Sequence, residues 1–152
     1  ICKKYNNYNI FIDYAHTPDA LKKILLSKTI NKKKPNLVFG CGGNRDKSKR
    51  LKMGSIASRY ANKVYVTDDN PRDEKPEEIR KKIISKCKNA KNIASRKNAI
   101  IKAVNELNYK EILIIAGKGH EVNQIYKNKI IKFNDKLIAK FAVRKKIKNE
   151  KN

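Results

Sequence analysis

With 152 residues and a hydrophobic fraction of 39%, the chain is long enough for one domain with a buried core, so disorder does not describe most of it. No apolar run approaches the roughly 20 residues of a membrane span, and the opening ICKKYNNYN has no apolar signal-peptide core. The formal net charge is +24, but the excess is mostly lysine spread over solvated faces. The runs at Lys32–Lys34 and Lys145–Lys148 lack interleaved aromatics to stack on bases, which argues against specific nucleic-acid binding.

In chain order, Ile10-Phe11-Ile12 reads as a strand. Thr17 and Pro18 then open a helix, Thr as N-cap and Pro at the first helical position, with Ala20, Leu21, Ile24 and Leu25 at helical spacing. Leu37-Val38-Phe39 is a second strand, and Met53, Ile56, Ala57, Tyr60 and Ala61 stripe one face of the next helix. Val64-Tyr65-Val66 is a third strand. Pro76 opens a helix whose inner face holds Ile79, Ile83, Ile84 and Cys87. A weak strand is expected near Asn92–Ala94, then a helix with Ala99, Ile100, Ala103, Val104 and Leu107. Ile112–Ala116 is the most apolar strand. Gln124–Tyr126 and Ile130–Phe133 read as a hairpin, and Leu137, Ile138, Phe141 and Ala142 mark a last helix with a frayed tail from Lys145. Short apolar strands alternating with helices predict an α/β, Rossmann-like, doubly wound and mostly parallel sheet with a late antiparallel hairpin, all in one domain over 1–152. The first residue is Ile1, not Met, and the expectation is a segment of a longer polypeptide.

Cys2, Cys41 and Cys87 form no C-x-x-C and there are two histidines, so free thiols in a reducing cytoplasm are expected and no metal site is. Such sheets bind ligands beyond the carboxyl ends of their strands. Four strands here end in polar clusters: Asp13–His16, Gly40–Asp46, Asp68–Arg72 and Gly117–Glu121. Gly40, Gly42 and Gly43 either supply positive φ for a turn or let a ligand approach the backbone. Asp69-Asn70-Pro71 has turn chemistry, but Arg72 and Arg45 offer planar forks suited to carboxylates, and Glu121 could receive an ammonium. His16 and His120 either hold turns or face a ligand. G-x-x-x-x-G-K-[ST] and G-x-G-x-x-G are both absent, so the chain shows no triphosphate cradle and no dinucleotide fingerprint. No catalytic nucleophile is identified.

At these clusters, IDYAHTPDAL (12–21), VFGCGGNRDKSKR (38–50), MGSIASRYANKVYVTDDNPR (53–72) and AGKGHE (116–121), the chain resembles the Mur ligases, and among them those that add 2,6-diaminopimelate. The resemblance runs from about Ile10 to the last helix. It implies the C-terminal, amino-acid-binding domain of a cytoplasmic, ATP-dependent ligase of peptidoglycan precursor synthesis. The UDP-sugar domain and the central ATPase domain would lie elsewhere. The implied ligands are meso-diaminopimelate on Arg45, Asp69, Asn70, Pro71, Arg72, Gly117 and Glu121, with Asp13 and His16 facing the nucleotide. UDP-N-acetylmuramoyl-L-alanyl-D-glutamate, ATP and Mg2+ would be held mainly by the other domains. The alternative is a stand-alone basic module for nucleic acid or another anionic partner, without a membrane role.

Overall fold

The computed structural model describes the backbone of residues 2–5 and 8–150 and the side chains of residues 8–150. The elements are β1 (Cys2–Tyr5), β2 (Tyr8–Asp13), α1 (Pro18–Ser27), β3 (Asn36–Phe39), α2 (Ser48–Tyr60), β4 (Val64–Val66), α3 (Pro76–Ile84), β5 (Lys91–Asn92), α4 (Arg96–Asn105), β6 (Ile112–Ala116), β7 (Asn123–Tyr126), β8 (Lys129–Lys132) and α5 (Asp135–Glu150). The side chain of Cys2 lies outside the described residues.

Helix α1 forms as its sequence predicts. Thr17 is extended at φ −119° and ψ 157°, and its Oγ1 accepts the Ala20 N–H at 3.3 Å. Pro18 fixes the first helical φ where no backbone donor is needed. Leu21 and Leu25 lie one turn apart on the same face, fully buried, each worth roughly 2 kcal/mol in area removed from water. The helix stops where the Lys28 N–H folds back onto the Ile24 and Leu25 carbonyls.

The main sheet runs β1-β2-β6-β3-β4-β5, with β1 antiparallel to β2 and every other pair parallel. Its strands alternate between two apolar layers. Leu37, Phe39, Val66 and Ile114 pack with Leu21 and Leu25 of α1, Met53 and Ala57 of α2, and Ile79 and Ile83 of α3. Val38, Tyr65, Leu113 and Ile115 pack on the other face with Ala99, Ile100 and Ala103 of α4 and Ala139, Ala142 and Val143 of α5. The sheet is therefore doubly wound and covered on both sides. The hairpin β7–β8 forms its own antiparallel sheet.

Register places the four polar clusters. Asp13 pairs with Ala116, Val38 with Ile115, and Phe39 with Val66, so β2, β6, β3 and β4 end at one edge. Two sequence expectations need correction. Strand β5 is Lys91–Asn92, one residue earlier than expected. The tail is not frayed from Lys145, because α5 continues to Glu150. Lys146 Nζ donates to the carbonyls of Val104, Asn105 and Leu107 around the end of α4, and the Tyr8 hydroxyl donates to Glu150 Oε1 at 2.7 Å. A cation on the open carbonyls of a helix C-terminus is favourable on both hydrogen-bond and dipole grounds. Among the described residues no helix is long and apolar enough to cross a membrane.

Candidate functional site

At the carboxyl edge of the sheet lies an open cleft of about 620 Å3. Arg45, Asp69, Asn70, Arg72, Gly117 and Glu121 all line it, as does His16. Residues from three separated loops, distant in sequence, thus meet in one cavity. Two expected site residues sit behind its wall. Pro71 is buried under the Gly43 backbone. Asp13 turns its Oδ1 onto the Ala15 N–H at 2.8 Å, a turn-holding bond.

The loop after β4 is organised around Asn70, which is 3% exposed. Its Oδ1 accepts from Lys118 Nζ at 2.8 Å and from the Ile125 N–H at 3.0 Å, while its Nδ2 donates to Glu121 Oε2 at 3.0 Å. Its carbonyl accepts the Gly43 N–H at 2.8 Å. Gln124 adds two bonds from Nε2, to the carbonyls of Asp69 and Asp68. The Arg72 N–H donates to the Ile125 carbonyl at 3.1 Å. The late hairpin is therefore the scaffold of this loop. It holds Arg72 at φ 53°, a left-handed conformation that costs an L-residue roughly 1–2 kcal/mol. The Arg72 guanidinium is tied through Nη1 to the carbonyls of Gly43 and Asn70, at 2.9 and 3.3 Å. Neither bond uses Nε or Nη2, which leaves that edge for a carboxylate.

The glycine loop after β3 is shaped by space, not by positive φ. Gly40, Gly42 and Gly43 all have ordinary φ, and the left-handed position falls on Asn44 at φ 52°. At Gly43 an added Cβ would stand 1.8 Å from the Pro71 carbonyl oxygen, so only glycine lets the two loops touch. A buried arginine locks them together. Arg50, 1% exposed, places Nη1 and Nη2 on the two carboxylate oxygens of Glu74, both at 2.9 Å, and Nη2 also reaches the Gly42 carbonyl. Glu74 Oε1 accepts the Asn44 N–H at 2.7 Å. This fork holds the Glu74 carboxyl down at about 2, against the cost of its burial. Arg45, two residues after Gly43, is exposed and bonded to the Asn44 carbonyl at 3.2 Å, which leaves its fork facing the cleft.

Glu121 receives both Lys118 Nζ, at 2.8 Å, and Asn70 Nδ2 on Oε2, so neither bond uses Oε1. Burial pushes this carboxyl up, but the Lys118 and Asn70 bonds outweigh it and the net direction is down. Lys118 is fully buried, an internal tie and not a cleft cation. His16 bonds through Nδ1 to the Tyr14 carbonyl at 2.8 Å. A carbonyl only accepts, so Nδ1 is the donor in this bond. His120 is exposed and stacks on Tyr14 at 5.8 Å. Cys41 is buried against Met53, its thiol pushed up to about 12 by burial, and it does not face the cleft.

Sequence reasoning missed Arg50, Glu74, Arg96 and Gln124 and gave Lys118 no role. All are polar and most look like surface charges. Position was the signal for Arg50, Glu74, Lys118 and Gln124, which lie in or within a few residues of a rim cluster; Arg96 lies far from any of them in sequence and carried no such signal. Two arginine forks and two carboxylates on one wall can hold a molecule that carries both carboxylate and ammonium groups.

Fold and rim together define a doubly wound α/β domain with a polar cleft at the carboxyl edge of its sheet, the place where such sheets take ligands. The family model for the Mur ligase, glutamate ligase domain, matches residues 1–119, and the chain belongs to that family. The UDP-N-acetylmuramoyl-L-alanyl-D-glutamate–2,6-diaminopimelate ligase of Rickettsia bellii is 51% identical over 145 residues, which cover 92% of this chain and 31% of that protein. The ligase of the same name from Anaplasma marginale is 54% identical over 129 residues, covering 83% and 27%. A solved structure of a ligase of this name superposes with a TM-score of 0.81 at 33% identity, over 100% of this chain and 31% of that one. The chain thus spans under a third of the length of these relatives.

Proposed function

We propose that this chain is the amino-acid-positioning domain of an ATP-dependent ligase that joins meso-2,6-diaminopimelate to UDP-N-acetylmuramoyl-L-alanyl-D-glutamate. The observation that carries the reading is the meeting of Arg45, Asp69, Asn70, Arg72, Gly117 and Glu121 in one cleft. Diaminopimelate has an amino acid at each end, and a wall with two forks and two carboxylates matches that charge pattern. Arg72 and Arg45 take the ligand carboxylates. Asp69, Glu121 Oε1 and the Gly117 backbone take the ammonium of the end that does not react.

Holding that end orients the free amine of the other. The amine attacks an acyl phosphate on the D-glutamyl side chain: the C–N bond forms, the C–O bond to phosphate breaks, and the nitrogen releases a proton. Positioning of this kind can supply a large share of a bimolecular barrier, on the order of 7–11 kcal/mol at best. The chain's own residues do not form a triphosphate cradle. We therefore place ATP and Mg2+ on a central domain of the complete ligase, with His16, which lines the cleft, as the residue of this chain to face them.

The test is Arg72→Ala in the complete protein. Removing one side of a desolvated charge pair costs about 2–5 kcal/mol, so KM for diaminopimelate should rise roughly 30-fold or more while KM for ATP holds. An unchanged KM for diaminopimelate would remove the reading.

A further inference from the structure

Behind the cleft wall lies a second buried arginine that the proposed binding set does not include. Arg96 opens α4 and its side chain is fully buried. Its Nε and Nη2 fork onto the Asp135 carboxylate at 2.8 and 2.7 Å, and Nη2 also donates to the Ala116 carbonyl at 3.0 Å. These anchors come from the start of α5 and the end of β6, so the guanidinium is fixed. Nη1 donates to no protein atom among the described residues. It lies 4.0 Å from Oδ2 of Asp69, a residue that lines the cleft. Asp69 Oδ1 is occupied by the Asn70 N–H at 2.7 Å. Oδ2 stands over Gly117, at φ 112°, where an added Cβ would come within 2.9 Å.

Charge counting gives this geometry a consequence. Arg96 offsets Asp135, and Lys118 offsets Glu121. Of these three carboxylates Asp69 alone has no cation within hydrogen-bond distance among the described residues; the spare N–H of Arg96 stands 4.0 Å from it and it also lines the cleft. We propose that Arg96 is a positioning residue for the amino-acid end of the cleft: its guanidinium, braced by Asp135, sets where the Asp69 carboxylate stands to receive a ligand ammonium. This rests on the reading that the cleft takes a zwitterionic amino acid. Arg96 does not touch the ligand. It acts through Asp69, and its effect is confined to ligands that use Asp69.

The experiment is a double-mutant cycle in the complete protein. Arg96→Lys keeps the charge but cannot both fork Asp135 and face Asp69. It should raise KM for diaminopimelate about tenfold and leave KM for ATP unchanged, and in the Asp69→Asn background the same change should shift KM less than about twofold. Equal rises in both backgrounds, or a matching rise in KM for ATP, would overturn the proposal in favour of a purely structural arginine. If Arg96→Lys does not fold, Asp135→Asn carries the same comparison, because it frees the guanidinium to draw Asp69 out of the cleft. Coupling to Asp69→Asn is again the supporting result and its absence the overturning one. Failure of the underlying reading looks different: the unsubstituted protein would then show no diaminopimelate-dependent turnover, which overturns both.

Discussion

Lys118 Nζ and Asn70 Oδ1 meet at 2.8 Å inside the protein, and through this bond the loop after β6 grips the loop after β4. Both residues are buried, and the same ammonium also ties down Glu121. The cleft wall is thus a bonded unit and not a set of independent surface side chains.

Lys118→Met should therefore destabilise the fold, because it leaves the Asn70 oxygen and the Glu121 carboxylate without their shared donor. A bond to a charged group is worth about 1.5–3 kcal/mol, and urea unfolding should show a loss of that size. A loss under about 0.5 kcal/mol would mean that the wall is not organised through Lys118.

Acid should loosen the glycine loop in a defined window. The Arg50 fork, set against burial, lowers the Glu74 carboxyl from 4.5 to about 2. A depressed folded-state value contributes stability that is present above about 4.5 and is lost as pH falls toward about 2. Glu74→Gln should lose stability at neutral pH and show a shallower decline across that window, read from urea unfolding at stepped pH. Glu106, lowered to about 2 mainly by its Lys91 bond, titrates in the same range, so part of the slope should remain.

The glycine-loop cysteine should be inert. Burial raises Cys41 to about 12 and also raises Cys87. In a Cys2→Ser variant the folded protein should not react with Ellman's reagent near about pH 8, where a free cysteine is partly thiolate, and two thiols should appear on denaturation. Rapid native labelling at Cys41 would place that side chain in the cleft after all.

The C-terminal turns of α5 should contribute to stability. Lys146→Met removes bonds to three carbonyls around the end of α4, and a loss of about 1–2 kcal/mol is expected from urea unfolding. No loss would restore the frayed tail that composition suggests.

The strands that read clearly in the sequence are those buried on both faces, such as Leu37–Phe39 and Ile112–Ala116, because burial on both sides demands a continuous apolar run. Strand β1, CKKY, was not legible: as an edge strand it has no such run. The rim clusters were legible because glycine, asparagine and arginine at strand ends are poor core residues. The residues that hold the rim in shape were not. In a chain with 38 Lys and Arg, nothing local separates buried Arg50, Arg96 and Lys118 from solvated cations. The hairpin was predicted, but its task was not, since it grips Asp68–Arg72 through the Gln124 side chain and the Ile125 backbone.

The central claim is that this cleft discriminates a double-ended amino acid by its second carboxylate. Titration calorimetry of the complete protein with meso-diaminopimelate and with L-lysine, which lacks that carboxylate, tests it most directly. Diaminopimelate should bind at least about 30-fold more tightly, the lower end of what a desolvated charge pair supplies, and Arg72→Ala should erase the difference. Equal affinities for the two amino acids, or discrimination that survives Arg72→Ala, would contradict the account.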